Sequence, residues 1–137
     1  MLMCKKCFNI GVDEKCFYCN NDVFFVDDLI APSIQLLNLK HYKTSFCCSG
    51  HISFCYAPYI TFSKRYPFID TPKYWMHIDT VLCDYQNAKV SALYLQSKCK
   101  NQFKKAVEED HSFIESLALL NKYIISLYRW SYSLESI

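Results

Sequence analysis

The sequence predicts an α+β fold, and three observations carry that prediction. The chain opens with two Cys-x2-Cys pairs, Cys4-Lys-Lys-Cys7 and Cys16-Phe-Tyr-Cys19, separated by eight residues. Its middle is a series of short aromatic and β-branched segments broken by turn residues. Its last third repeats apolar residues at steps of three and four. Together they predict an N-terminal four-cysteine zinc-knuckle module packed on a small mixed sheet, with a long apolar C-terminal helix. Two units are expected: a zinc-binding module over residues 1–26 and an α+β body over residues 27–137.

Each element follows in order. Residues 1–20 form two metal knuckles, and Gly11 with the Asp13-Glu14 pair suits the turn between them. Asp22-Val-Phe-Phe-Val26 reads as a short strand leaving the knuckles. Asp27 is placed as the N-cap of a helix over 28–39. Pro32 is tolerated in its first turn, and Leu29, Ile30, Ile34, Leu36 and Leu37 face inward. Tyr42-Lys-Thr-Ser-Phe-Cys-Cys48 reads as a strand that ends at the turn Ser49-Gly50-His51. Residues 52–56 and 59–62 are strand-like, with Pro58 between them. Tyr74-Trp-Met-His-Ile78 is a further strand, and residues 79–86 fit no single pattern. Residues 90–96 suit helix or strand, and helix is expected. From Asn101 onward the pattern is helical, and Ser112-Phe-Ile-Glu115 has capping-box spacing. In the last helix Phe113, Leu117, Leu120, Ile124 and Leu127 line one face, widened by Ala118, Leu119, Tyr123, Tyr128 and Trp130. A helix so apolar is either central to the core or covered by another chain, and the core is the simpler expectation. No internal repeat is expected.

Composition narrows the function classes. The chain has 137 residues, 52% of them apolar and 17% aromatic, enough for a packed core. Its net charge is +2, with three basic and three acidic residues in the first 26 and five of each from residue 100 onward. No basic face for a nucleic-acid duplex emerges from that balance, so direct nucleic-acid binding is not expected. Glycine occurs only at Gly11 and Gly50. Phosphate cradles need several glycines to let backbone approach the phosphate, so P-loop and dinucleotide-fingerprint enzymes are excluded. The best apolar run, residues 117–128, is interrupted by Asn121 and Lys122, and a membrane span needs about 20 residues. Met1-Leu2-Met3 runs straight into Cys4-Lys5-Lys6, unlike a secretory leader. The nine cysteines are therefore expected to be reduced thiols of a cytoplasmic protein.

The opening cysteines carry the clearest chemistry. Zinc prefers thiolates, accepts tetrahedral geometry and has no redox activity. Cys4, Cys7, Cys16 and Cys19 would fill its shell and leave no corner for a reacting water, so one structural zinc per chain is expected. Buried thiols or an iron–sulfur cluster are the alternatives. A second group, Cys47, Cys48, His51 and Cys55, falls within nine residues. It suits a second zinc site, a reactive Cys–His pair, or a buried strand with a tight glycine turn. The strand is favoured because adjacent cysteines point to opposite sides. His77 and Asp79 share a strand face, as an acid–base pair or a surface hydrogen bond. His41 and His111 stand apart, and Cys83 and Cys99 read as core. The 11 tyrosines and 10 phenylalanines lack interleaved basic residues, so a core or a protein interface accounts for them better than base stacking. Lys64-Arg65-Tyr66 is the one short basic–aromatic patch.

Residues 34–62 contain Leu37-Asn38, Tyr42-Lys43-Thr44 and Phe46-Cys-Cys-Ser-Gly-His51, ending in Pro58-Tyr-Ile-Thr-Phe62. This stretch resembles small proteins of Firmicute phages and prophages. Thr44, Cys48, Ser49 and Gly50 also match a segment of the wybutosine-synthesis tRNA methyltransferase family. His51 stands where that family has arginine, so no catalytic residue is carried over. The whole, a short zinc module joined to an aromatic-rich α+β body, resembles zinc-binding anti-CRISPR-type proteins. That resemblance implies a non-enzymatic inhibitor that binds a type II CRISPR nuclease in the host bacterial cytosol. Tyrosine and tryptophan anchors would carry most of such binding, and Tyr66, Tyr74, Trp75 and Trp130 are the candidates. The alternative is an RNA- or nucleotide-processing protein using Thr44, Cys48, Ser49, Gly50 and His51.

Overall fold

The computed structural model describes all residues except 12, 52–56, 84–87 and 110–112; residues 46, 80–83 and 88 are described as backbone alone. Three short strands come first: β1 (Leu2–Cys4), β2 (Ile10–Gly11) and β3 (Val23–Phe25). They pair antiparallel in the order β2-β1-β3. Helix α1 (Ala31–Leu39) leads to β4 (Thr44–Cys48) and β5 (Tyr59–Phe62). β6 (Trp75–Cys83) and β7 (Ala88–Leu95) follow, then α2 (Ser97–Glu108) and α3 (Phe113–Ser133). The second sheet has the order β4-β5-β7-β6. Its pairings are antiparallel, which narrows the mixed sheet expected. The α+β class and the long C-terminal helix stand. Among the described residues, no helix is long and apolar enough to cross a membrane.

Two elements differ from expectation. Residues 90–96 fall mostly in strand β7, not in a helix. β7 lies between β5 and β6, and Val90, Ser91, Ala92 and Leu93 are all buried. Covered on both faces, a central strand loses the alternation that marks a half-exposed one, and a short apolar run then looks helical. Helix α1 starts at Ala31, and its N-cap position is Ile30, with no side-chain cap bond. Asp27 is therefore not the N-cap. Its carboxylate accepts hydrogen bonds from the Ser49 amide (3.1 Å) and hydroxyl (3.3 Å). Pro32 does sit in the first turn of α1, as expected. The capping-box serine, Ser112, lies outside the described residues.

One apolar core serves both sheets. Met3 and Val26 beside the first sheet are fully buried in the same cluster as Ile34, Phe62, Trp75 and Tyr123. Ile60 pairs with Leu93 across β5 and β7, and Trp75 with Leu95 across β6 and β7. These side chains share the sheet face on which Leu120, Tyr123 and Leu127 of α3 pack. Each such large apolar side chain contributes about 1.5–3 kcal/mol on full burial. Helix α3 is thus a core helix on one side. Its other side still exposes Phe113, Ile114, Ile125, Tyr128 and Tyr132, so Phe113 and Tyr128 leave the expected inward face.

The end of α3 is held by the end of α1. Lys40 Nζ donates to the carbonyls of Ser131, Tyr132 and Leu134, which the helix itself cannot satisfy. The Tyr42 hydroxyl donates to the Glu135 carbonyl at 2.7 Å. A positive charge at a helix C-terminus also complements the helix dipole. Lys40→Met keeps the stem and removes the donors. It is expected to cost about 1.5–3 kcal/mol in urea unfolding, the range for hydrogen bonds from a charged donor. An unchanged unfolding midpoint would show that the clamp contributes nothing.

Candidate metal centre

The first knuckle is the turn by which β1 passes to β2, and the second lies inside the Lys15–Asp22 bridge. The Lys5 amide donates to the Asp22 carbonyl at 2.9 Å and ties the two together. The sulfurs of Cys4 and Cys19 are 3.5 Å apart, those of Cys7 and Cys16 3.6 Å, and those of Cys7 and Cys19 3.7 Å. All four sulfurs lie within 4.8 Å of one another. Metal–sulfur bonds of about 2.3 Å in a tetrahedron place sulfurs about 3.8 Å apart, whereas a disulfide needs about 2.05 Å. The four thiols therefore have the spacing of a tetrahedral metal shell, and the residues fit such an ion.

Each knuckle is one copy of a six-residue unit, Cys-x2-Cys-x-Asn. The Cys4 amide donates to the Asn9 carbonyl at 2.9 Å, and the Cys16 amide to the Asn21 carbonyl at 2.8 Å. Asn9 Nδ2 donates to Cys7 Sγ at 3.2 Å, and Asn21 Nδ2 to Cys19 Sγ, also at 3.2 Å. Phe8 and Asn20 occupy the same place in the two copies, both left-handed, with φ of 60° and 58°. The amides of Lys6 and Cys7 point at Cys4 Sγ (3.3 and 3.4 Å), and those of Tyr18 and Cys19 act likewise on Cys16. The chain thus holds a short internal repeat where none was expected. Asn9 and Asn21 are site residues that sequence reasoning missed, although their spacing behind each cysteine pair was available.

These donors set the state of the thiols. The Asn21 side chain, with its backbone amide, holds the Cys19 thiol down at about 6. The Asn9 backbone amide, aided by its side chain, lowers Cys7. Burial pushes Cys16 up to about 11. Thiolate is the form that binds metal, so Cys19 on the exposed rim already offers it at neutral pH. Donors aimed at sulfur also spread the charge that four thiolates concentrate on one ion.

The second cysteine group takes its favoured form, a strand that ends in a tight glycine turn, with Gly50 at φ 88°. Cys47 and Cys48 do face opposite sides of β4. Cys47 packs against the core, and burial pushes its thiol up to about 12, too high for a nucleophile. Cys48 instead meets His51 and Asp27, the three ligand atoms lying within 4.8 Å of one another. Asp27 was not named for this role because it stands 21 residues earlier in the chain. Cys55 and His111 lie outside the described residues, as does the side chain of Cys83, while Cys99 is in the core as expected. Thr44 is four residues along β4 from Cys48, about 13 Å in an extended strand, and pairs with Asn38 instead. His77 and Asp79 do share a face, at 4.0 Å. Arg65 takes the other Asp79 oxygen at 2.6 and 2.8 Å and holds that carboxyl below its usual range. Of the Lys64-Arg65-Tyr66 patch, Tyr66 is buried and Arg65 is paired with Asp79, while Lys64 and Arg65 stay exposed.

Three of the four expected partner anchors are corrected. Tyr66, Trp75 and Trp130 are only 4%, 1% and 6% exposed. The Tyr66 hydroxyl donates to the His41 carbonyl, Trp75 Nε1–H to the Tyr123 carbonyl, and Trp130 Nε1–H to Asp70. Large rings whose polar tip finds an internal partner are core-building residues, and these three build this core. Tyr74 is half-buried, edge-on to Tyr123 with Lys122 over its ring at 4.7 Å. The aromatic side chains that do face solvent near the cysteines are Phe17 and Tyr18, between the second pair, and Phe25 on β3.

Fold and site define a class: a small α+β protein with a four-cysteine cluster, shaped for a metal ion, seated on its core. No protein-family model matches the chain, and no curated protein and no solved structure matches it.

Proposed function

We propose that the chain is a non-enzymatic binding protein whose N-terminal lobe, stiffened by one zinc ion at Cys4, Cys7, Cys16 and Cys19, docks on a protein partner and inhibits it. The tip of the second knuckle carries this reading. Phe17 and Tyr18 are 89% and 71% exposed, with ring centroids 5.6 Å apart in an edge-to-face pair. Aromatic rings held in water on a rigid loop lose little further freedom on docking and gain full burial, as interface anchors do. Phe25 and Ile10 extend the exposed apolar surface of the same lobe. Zinc suits the cluster because four thiolates satisfy its tetrahedral preference and no redox role is asked of it. The likeness to zinc-binding anti-CRISPR-type proteins supports a type II CRISPR nuclease as the partner, blocked sterically or conformationally.

The test is a cleavage assay with purified type II nuclease, guide and target DNA. Added protein is expected to suppress cleavage and to co-elute with the nuclease. Full cleavage at a large excess of protein, with no co-elution, sinks the reading. Phe17→Ala combined with Tyr18→Ala is expected to weaken inhibition at least tenfold, since interface anchors are worth about 2 kcal/mol or more each. Metal content and melting temperature should not change, because neither ring packs on the core.

The second reading keeps one of its residues in a groove, of about 490 Å³: Thr44 lines it, and Cys48, Ser49, Gly50 and His51 do not. Lys5, Lys43, Thr44 and Phe24 are among its lining residues, a setting in which phosphate and base could both be met. Recovery of RNA with the protein, lost in Lys43→Ala, would support RNA or nucleotide processing over protein binding.

A further inference from the structure

We propose that Asp27, Cys48 and His51 form a second metal site, separate from the four-cysteine cluster, for a divalent ion of the zinc type. Asp27 lies between β3 and α1, while Cys48 and His51 flank the turn that ends β4. The fold brings a carboxylate, a thiol and an imidazole together, and each offers one ligand atom within 4.8 Å of the others.

The turn itself is a metal knuckle. Cys48-Ser-Gly-His51 has the same x2 spacing as Cys4-Lys-Lys-Cys7. Gly50 has φ 88°, which bends the chain so that both flanking side chains reach one point. The Gly50 amide points at Cys48 Sγ at 3.3 Å. The Lys6 amide points at Cys4 Sγ from the same relative position, two residues on, also at 3.3 Å. The backbone arrangement that presents a sulfur to the first ion is therefore repeated here with histidine in place of the second cysteine.

The carboxylate is held in position as a ligand needs to be. Ser49, itself almost fully buried, donates to Asp27 Oδ2 through its amide and its hydroxyl. Such outer contacts fix the orientation of a ligating carboxylate. His51 Nε2 stands 3.7 Å from Asp27 Oδ2, beyond a hydrogen bond and close to the edge of a tetrahedron built on bonds of about 2.1 Å. A carboxylate beside a sulfur disfavours thiolate, and a cation between them reconciles the two. Mixed sulfur, nitrogen and oxygen donors suit zinc and exclude magnesium or calcium, which take oxygen ligands. The half-exposed His51 leaves the ion a path from solvent. These three residues would supply three ligands of a four-coordinate ion, with the fourth position taken by a further donor.

The test measures zinc by elemental analysis in wild type, His51→Ala and Asp27→Asn, each purified without chelator. Circular dichroism checks that each is folded. Wild type is expected to carry one more zinc per chain than either variant. Cobalt titration should show the same difference of one equivalent. The near-isosteric Asp27→Asn keeps the test open should His51→Ala disturb the turn. Because the readout is a difference, it holds whether or not the four-cysteine cluster is filled. Equal metal content in wild type and a folded variant overturns the second site.

Discussion

Replacing Cys4 and Cys7 by serine is expected to unfold the N-terminal lobe and to remove one metal ion per chain. The lobe's own strands are three, two and three residues long, too short to persist alone. In small metal modules ion binding supplies about 10–16 kcal/mol of apparent folding free energy at neutral pH, comparable to the about 5–15 kcal/mol that stabilises a whole domain. Loss of two thiolates leaves Cys16 and Cys19 to hold the ion with half the shell. Limited proteolysis should then cut within residues 1–26 of the variant and spare the wild type. A chelator should reproduce the cleavage pattern. The body should retain its helices by circular dichroism but melt at lower temperature, since Met3 and Val26 no longer fill their places in the core. A variant as protease-resistant as wild type would show that the cysteines are ordinary buried thiols.

Trp75→Ala should be the most damaging single change in the body. The indole is 1% exposed and donates to the Tyr123 carbonyl at 3.0 Å, joining β6 to α3. Truncating a buried tryptophan costs about 3–5 kcal/mol, a large share of a domain's total. Trp75→Phe should recover most of that, because it restores ring volume and loses only the hydrogen bond. Urea unfolding of the three proteins measures both steps. A loss below about 1 kcal/mol for alanine would contradict the central place of Trp75. The result also separates core from interface, since a partner anchor would cost affinity and leave stability unchanged.

What could be read in advance follows a physical division. Knuckle spacing is local chemistry, and Cys4, Cys7, Cys16 and Cys19 could be matched to one ion without knowing the fold. The strands at 44–48 and 59–62 and the helix around Ile34 and Leu37 were legible for the same reason. Contacts across long loops were not. Asp27 looked like a helix cap because nothing nearby in sequence announces Ser49 as its partner. Residues 90–96 looked helical because burial on both faces erases the strand's alternation. Tyr66, Trp75 and Trp130 looked like anchors because composition counts rings without saying which of them the core consumes. The Asn9 and Asn21 pair is legible from its spacing, but a repeat of only six residues gives a weak signal.

The left-handed residues have a further consequence for the unfolded chain. Phe8, Asn20, His41 and Tyr74 adopt positive φ, a conformation usually left to glycine, in a sequence with only two glycines. His41 closes α1 in this way, with the Tyr42 and His41 amides returning to the Leu37 and Asn38 carbonyls. Each such residue strains the native backbone, while its Cβ narrows the freedom of the denatured chain relative to glycine. At Phe8 and Tyr74 the ring is also used, packed against the core. These bends therefore trade local strain for a smaller loss of conformational entropy on folding. At positive φ the strain outweighs the entropy saved, so the packing of the Phe8 and Tyr74 rings has to offset the difference.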